Sequence, residues 1–120
     1  MIVKSYIKYY NEIKPDYQYQ LDLAKKFSEI PQIFSRSVSK LLEKIYGEEK
    51  VDKKLFEEYV QFDPDEEPYF KLKKELYEFL GNDWEESDLP SIIEKMAKSA
   101  HSRYKQIKDD YDRTETFRLS

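Results

Sequence analysis

A chain of 120 residues without cysteine can close one hydrophobic core, but it has no thiol for catalysis and no cysteine sulfur to ligate zinc. Its 16% aromatic content argues against disorder, and two glycines leave little material for tight hairpins or phosphate-cradling loops. The net charge of −4 is uneven: residues 1–47 carry eight Lys/Arg against five Asp/Glu (+3), residues 48–90 six against fifteen (−9), and residues 91–120 seven against five (+2). Asymmetry of this kind bears on partners rather than on fold.

The segments follow a helical period from the start. Ile2, Val3, Tyr6, Ile7, Tyr10 and Ile13 recur at spacings of three and four, which predicts a helix over 2–14 that stops at Pro15. Asp16 can cap a second helix over 16–29, with Leu21, Ala24 and Phe27 on one stripe. Ile30, Phe34, Val38, Leu41 and Ile45 predict a third over 31–46, with Pro31 in its first turn and Gly47 as its left-handed terminator.

Asp52 opens a shorter helix over 52–62 that carries Leu55, Phe56, Tyr59 and Val60. Asp63-Pro64 reads as cap and first residue of a helix over 65–80, with Asp65, Glu66 and Glu67 at its positive end and Gly81 closing it. Leu89, Ile93, Met96, Ala100, Tyr104, Ile107 and Tyr111 define the longest helix, over 89–112, capped by Ser87 or Asp88 with Pro90 in the first turn. The expectation is an all-α, compact single-domain bundle of five to six helices, without a sheet and with a long C-terminal helix. Residues 1–113 form the bundle and residues 114–120 a tail that orders only against a partner. Leu41, Ile45, Leu72, Leu76, Ile93, Met96, Ala100, Tyr104 and Ile107 are its expected core.

Little in the chain suggests chemistry. His101 is the one histidine, beside an apolar stripe and with no cysteine to share a metal, so its expected role is structural. Asp63, Asp65, Glu66 and Glu67 lack the turn glycine that a calcium loop needs and read better as capping residues. No Gly-x-Ser-x-Gly, Gly-x-x-x-x-Gly-Lys, Gly-x-Gly-x-x-Gly or His-Glu-x-x-His is present. The reading is therefore a protein that is not an enzyme, with no cofactor, no metal, no membrane span and no small-molecule substrate. Its expected compartment is the cytoplasm, or a host cytoplasm for a viral protein, since no segment resembles a signal peptide or reaches the roughly 20 apolar residues of a span.

The eleven tyrosines exceed what a core of this size absorbs, because each buried hydroxyl needs a partner. Tyr6, Tyr9, Tyr10, Tyr17 and Tyr19, with Phe117 of the tail, are expected to engage a protein partner, since tyrosine gives large contact area at low entropic cost. The function read from them is that of an accessory subunit or inhibitor acting by protein–protein contact in a larger complex. One alternative is a small helical subunit of a nucleoprotein assembly, such as an RNA-guided effector. It would touch nucleic acid through Lys4, Lys8, Arg36, Lys40, Lys44, Lys98, Arg103 and Lys105. A second alternative turns on the acidic middle block, which could mimic nucleic acid in the manner of viral inhibitors.

Overall fold

The computed structural model describes the backbone of residues 4–119 and the side chains of residues 4–110. Its elements in order are α1 (Ile7–Leu23), a single 3₁₀ turn (Phe27–Glu29), α2 (Ile30–Tyr46), α3 (Lys53–Tyr59), β1 (Val60–Phe62), β2 (Phe70–Leu72), α4 (Lys74–Leu80), α5 (Asp83–Glu86) and α6 (Leu89–Leu119). The fold is a mostly helical globule in which α1, α2 and α6 supply most of the core, and Phe56 of α3, Val60 of β1 and Leu76 and Leu80 of α4 complete it.

α1 runs straight through Pro15, where a helix end was expected. Tyr10, Ile13, Tyr17 and Leu21 form one buried stripe across that proline. Pro15 and Asn11, whose carbonyl loses its helical donor, are both exposed, so water can satisfy the freed oxygen. The stripe's burial outweighs the local cost of the proline. α1 then ends at Leu23, short of the expected 29, because Ala24 is extended (ψ 131°). Pro31 sits in the first turn of α2, and Gly47 ends that helix at a φ of 95° that suits glycine.

The second correction falls between residues 60 and 73. The sequence predicts helix there and no sheet, but β1 and β2 form a two-stranded antiparallel ribbon pairing Val60 with Leu72, Gln61 with Lys71 and Phe62 with Phe70. Asp63 caps no helix. Its carboxylate accepts the Asp65 N–H at 3.0 Å within the connecting turn, and Tyr69 sits at a φ of 72° after the cis Glu67–Pro68 bond. Only the last part of the predicted 65–80 helix survives, as α4. A residue before proline is disfavoured in helical geometry, and this segment has two such residues, Asp63 and Glu67. Leu72, placed on a helical stripe, is consequently a half-buried strand residue.

Of the remaining expected core, Leu41, Leu76, Ile93, Met96, Ala100 and Ile107 are buried, while Ile45 and Tyr104 are half-buried. α6 opens as expected, with the Ser87 hydroxyl accepting the Leu89 N–H at 3.2 Å, and extends to Leu119, past the expected 112. The tail expected over 114–120, and Phe117 within it, lie outside the described side chains.

Two contacts fasten α1 to α6. The Tyr17 hydroxyl, fully buried, donates to the Met96 carbonyl at 2.6 Å. Arg103 closes the end of α1 with its Nε on the Leu21 carbonyl at 2.8 Å and its Nη2 on the Asp22 and Ala24 carbonyls at 3.0 and 2.9 Å. The last carbonyls of a helix are short of intrahelical donors, although the Leu21 carbonyl also accepts the Ala24 N–H at 3.2 Å, and the cation opposes the negative end of the helix dipole. Replacing Tyr17 with Phe removes one hydrogen bond but no packing volume. It is expected to lower stability by about 1 kcal/mol with the helical circular dichroism unchanged, as urea denaturation would measure.

Candidate protein-contact face

The structure separates the tyrosines that the sequence grouped. Tyr10 and Tyr17 are core residues, and burial raises both phenols above their ordinary pKa. They present no contact face, because their ring positions coincide with the inward stripe of α1. Tyr9 is half-buried against the core.

Tyr6 belongs to an N-terminal strap. The Lys4 N–H donates to the Glu86 carbonyl at 3.0 Å, the Asp88 N–H to the Lys4 carbonyl at 3.2 Å, and the Tyr6 N–H to the Asp88 carboxylate at 2.7 Å. Asp83 gathers three further donors: Lys4 Nζ at 2.9 Å, and the hydroxyls of Tyr46 and Tyr6, each at 2.8 Å. These hydrogen bonds, the one from Lys4 foremost, hold the Asp83 carboxyl below the usual carboxylate range. The Tyr6 ring rests edge-on against Tyr46 at 6.2 Å, and Tyr46 against Phe79 at 5.3 Å.

Tyr19 alone of the five projects into solvent. It is 62% exposed, and Leu23, one turn on, is 58% exposed; these are the two most exposed large apolar side chains among the described residues. Beside them lies α2, antiparallel to α1, in a register fixed by ion pairs of Lys40 with Asp16 at 3.8 Å and Lys44 with Glu12 at 3.6 Å. That register sets Arg36 level with Gln20 and Ile33 level with Leu23. Leu23, Ile33 and Arg36 accordingly line one shallow hollow of about 300 Å³, together with Gln20, Ala24, Glu29 and Gln32.

Arg36, expected as a nucleic-acid contact, shares this hollow with Leu23, which lies one turn along α1 from Tyr19, expected as a protein contact. Leu23 and Ile33 were missed. Leu23 lies off the Leu21/Ala24 stripe that faces the core, which is the signal that could have found it.

The other basic residues do not converge. Lys4, Lys40, Lys44 and Lys98 each face a carboxylate, Asp83, Asp16, Glu12 and Glu94 respectively. Arg103 is spent on the end of α1. Lys8, Arg36 and Lys105 have no ion pair among the described residues, and they lie on three different helices. Along α1 the level of Arg36 is about 18 Å from Lys8, at 1.5 Å per residue.

His101 stacks flat on Tyr69, ring centroids 3.8 Å apart and 8° from parallel. Among the described residues, no group of three or more His, Asp or Glu side chains could hold a metal ion, and no helix is long and apolar enough to cross a membrane. The acidic block is dispersed over α3, the β1–β2 turn, α4 and α5. No protein-family model, curated protein or solved structure matches this chain.

Proposed function

We propose that this protein is a binding module without catalytic activity, an accessory subunit or inhibitor that works by protein–protein contact. Its contact surface is the α1–α2 face. The observation that carries this reading is the exposed pair Tyr19 and Leu23, one turn apart on α1, with Leu23 lining a shallow hollow that Arg36 of α2 also lines. Tyrosine and arginine are enriched among residues that dominate interface energetics, and lysine and glutamate are depleted there. A side chain left more than half in water gains most when a partner covers it.

The test is a pull-down from the native cell lysate at 50 and 200 mM salt, with and without nuclease, comparing the wild type with Tyr19→Ala/Leu23→Ser. The expected result is a protein partner that resists salt and nuclease and is recovered at least tenfold less well by the double variant. Contacts to about six phosphates would instead weaken roughly a thousandfold over that salt range. A partner lost on nuclease treatment, or one held equally by the double variant, would count against the reading.

A further inference from the structure

On the reading of the α1–α2 face as a protein-contact surface, we infer that its partner presents an acidic amphipathic segment, one apolar side chain entering the hollow and a carboxylate pairing with Arg36. The inference rests on charge. Three cations punctuate the exposed side of α2 at intervals of four, Arg36, Lys40 and Lys44. Lys40 and Lys44 already face Asp16 and Glu12 of α1. Gln20 occupies the place level with Arg36, so the third cation of the series has no ion pair among the described residues.

The nearest acid on the hollow cannot supply one without cost. One carboxylate oxygen of Glu29 accepts the backbone N–H of Lys25 at 2.9 Å and of Lys26 at 3.2 Å. These two bonds, chiefly that from Lys26, hold its carboxyl below the usual range, and they keep it at the turn.

The second argument concerns the end of α1, which borders the same face. A bare helix C-terminus would repel an anion approaching Leu23. Here Arg103 covers the Leu21, Asp22 and Ala24 carbonyls, so that repulsion is offset. Exposed Lys25 and Lys26 follow directly. What remains is an exposed tyrosine–leucine pair beside a hollow of mixed polarity, whose Arg36 has no ion pair among the described residues, and an arginine fork on such a surface matches a carboxylate in two parallel hydrogen bonds. The hollow, at about 300 Å³, is at the floor of the size range of small-molecule sites and suits a side chain better than a drug-sized ligand.

The experiment titrates isotope-labelled protein with three synthetic helical peptides that share a leucine frame and carry Glu, Gln or Lys at the position facing Arg36. The Glu peptide is expected to shift the amide resonances of Tyr19, Leu23 and Arg36 and to bind about tenfold more tightly than the Gln peptide, with the Lys peptide weakest. Arg36→Gln should erase the preference for Glu while leaving weak leucine-dependent binding, and Arg36→Lys should restore part of it. Equal binding of all three peptides at this face would overturn the charge inference and leave the contact surface standing. Shifts confined to other faces would overturn both. Broadening of the same resonances with protein concentration alone would name a second copy as the occupant and overturn the proposal. Shifts at Arg36 induced by a duplex oligonucleotide but by no peptide would do so as well.

Discussion

Truncating Ile93 to alanine is expected to lower the free energy of unfolding by about 2–5 kcal/mol, a large share of the roughly 5–15 kcal/mol typical of such a domain. Ile93 has no exposed surface and sits in the first turns of α6, where α6 meets the core. Removing its branched side chain leaves a cavity in a close-packed core, which the surrounding side chains fill poorly without backbone movement. Urea denaturation should show a lower midpoint at nearly constant slope, since the same surface is exposed on unfolding. An unchanged midpoint would mean that the buried face of α6 is not the one described.

Replacing Asp83 with alanine is the second large effect, about 2–4 kcal/mol. The substitution strips the acceptor from the half-buried hydroxyls of Tyr6 and Tyr46, and hydrogen bonds to a charged group are worth roughly 1.5–3 kcal/mol each. The strap's backbone bonds to Glu86 and Asp88 are retained, so the loss should be partial, and deuterium exchange should rise at Tyr6 and along the start of α1.

The pH dependence follows from the direction of the shift. The folded-state pKa of Asp83 is depressed below its unfolded value. Its contribution is therefore fully present above about pH 4, the usual unfolded value, and fades as pH falls through the folded one. The stability gap between wild type and Asp83→Asn should be constant from pH 7 to 5 and close below pH 4. A gap that persisted undiminished at pH 2 would show that packing rather than charge holds the strap.

Much of this architecture is written in helical periodicity. The stripe of α2, the terminators Gly47 and Gly81 and the opening of α6 at Ser87 are local patterns, and each appears where its residues place it. Pro15 reads as a helix end in sequence because its penalty is local, whereas what offsets it is tertiary. Tyr10, Ile13, Tyr17 and Leu21 continue at spacings of three and four across it, and burial of that stripe decides the outcome. The ribbon of β1 and β2 was illegible for another reason: its six residues gain strand pairing only through a turn whose two prolines also suit a helix start.

The contact face depended on information no single helix contains. Leu23 and Arg36 are 13 positions apart, and only the register of α1 on α2 brings them to one hollow. Nothing local marked Tyr10 and Tyr17 as core residues while α1 was expected to break between them. The moment α1 is continuous, both fall on its inward stripe and leave the contact set.

Arg103 and Tyr17, described above as fasteners between α1 and α6, also order events in time. Their bonds span 79 to 82 residues, whereas α1 and α2 meet through a short turn. Closing so long a loop carries an entropic cost that neighbouring helices escape, so contacts of this kind form late in folding. A chain emerging from the ribosome can pair α1 with α2 while α6 is still being made. Until Met96 and Arg103 have appeared, the inner side of α1 leaves Tyr17 and Leu21 without their cover from α6, and its last carbonyls lack the Arg103 guanidinium. The nascent half-molecule is thus sticky along the surface that the finished protein hides most completely, and the last third of the chain is what ends that exposure.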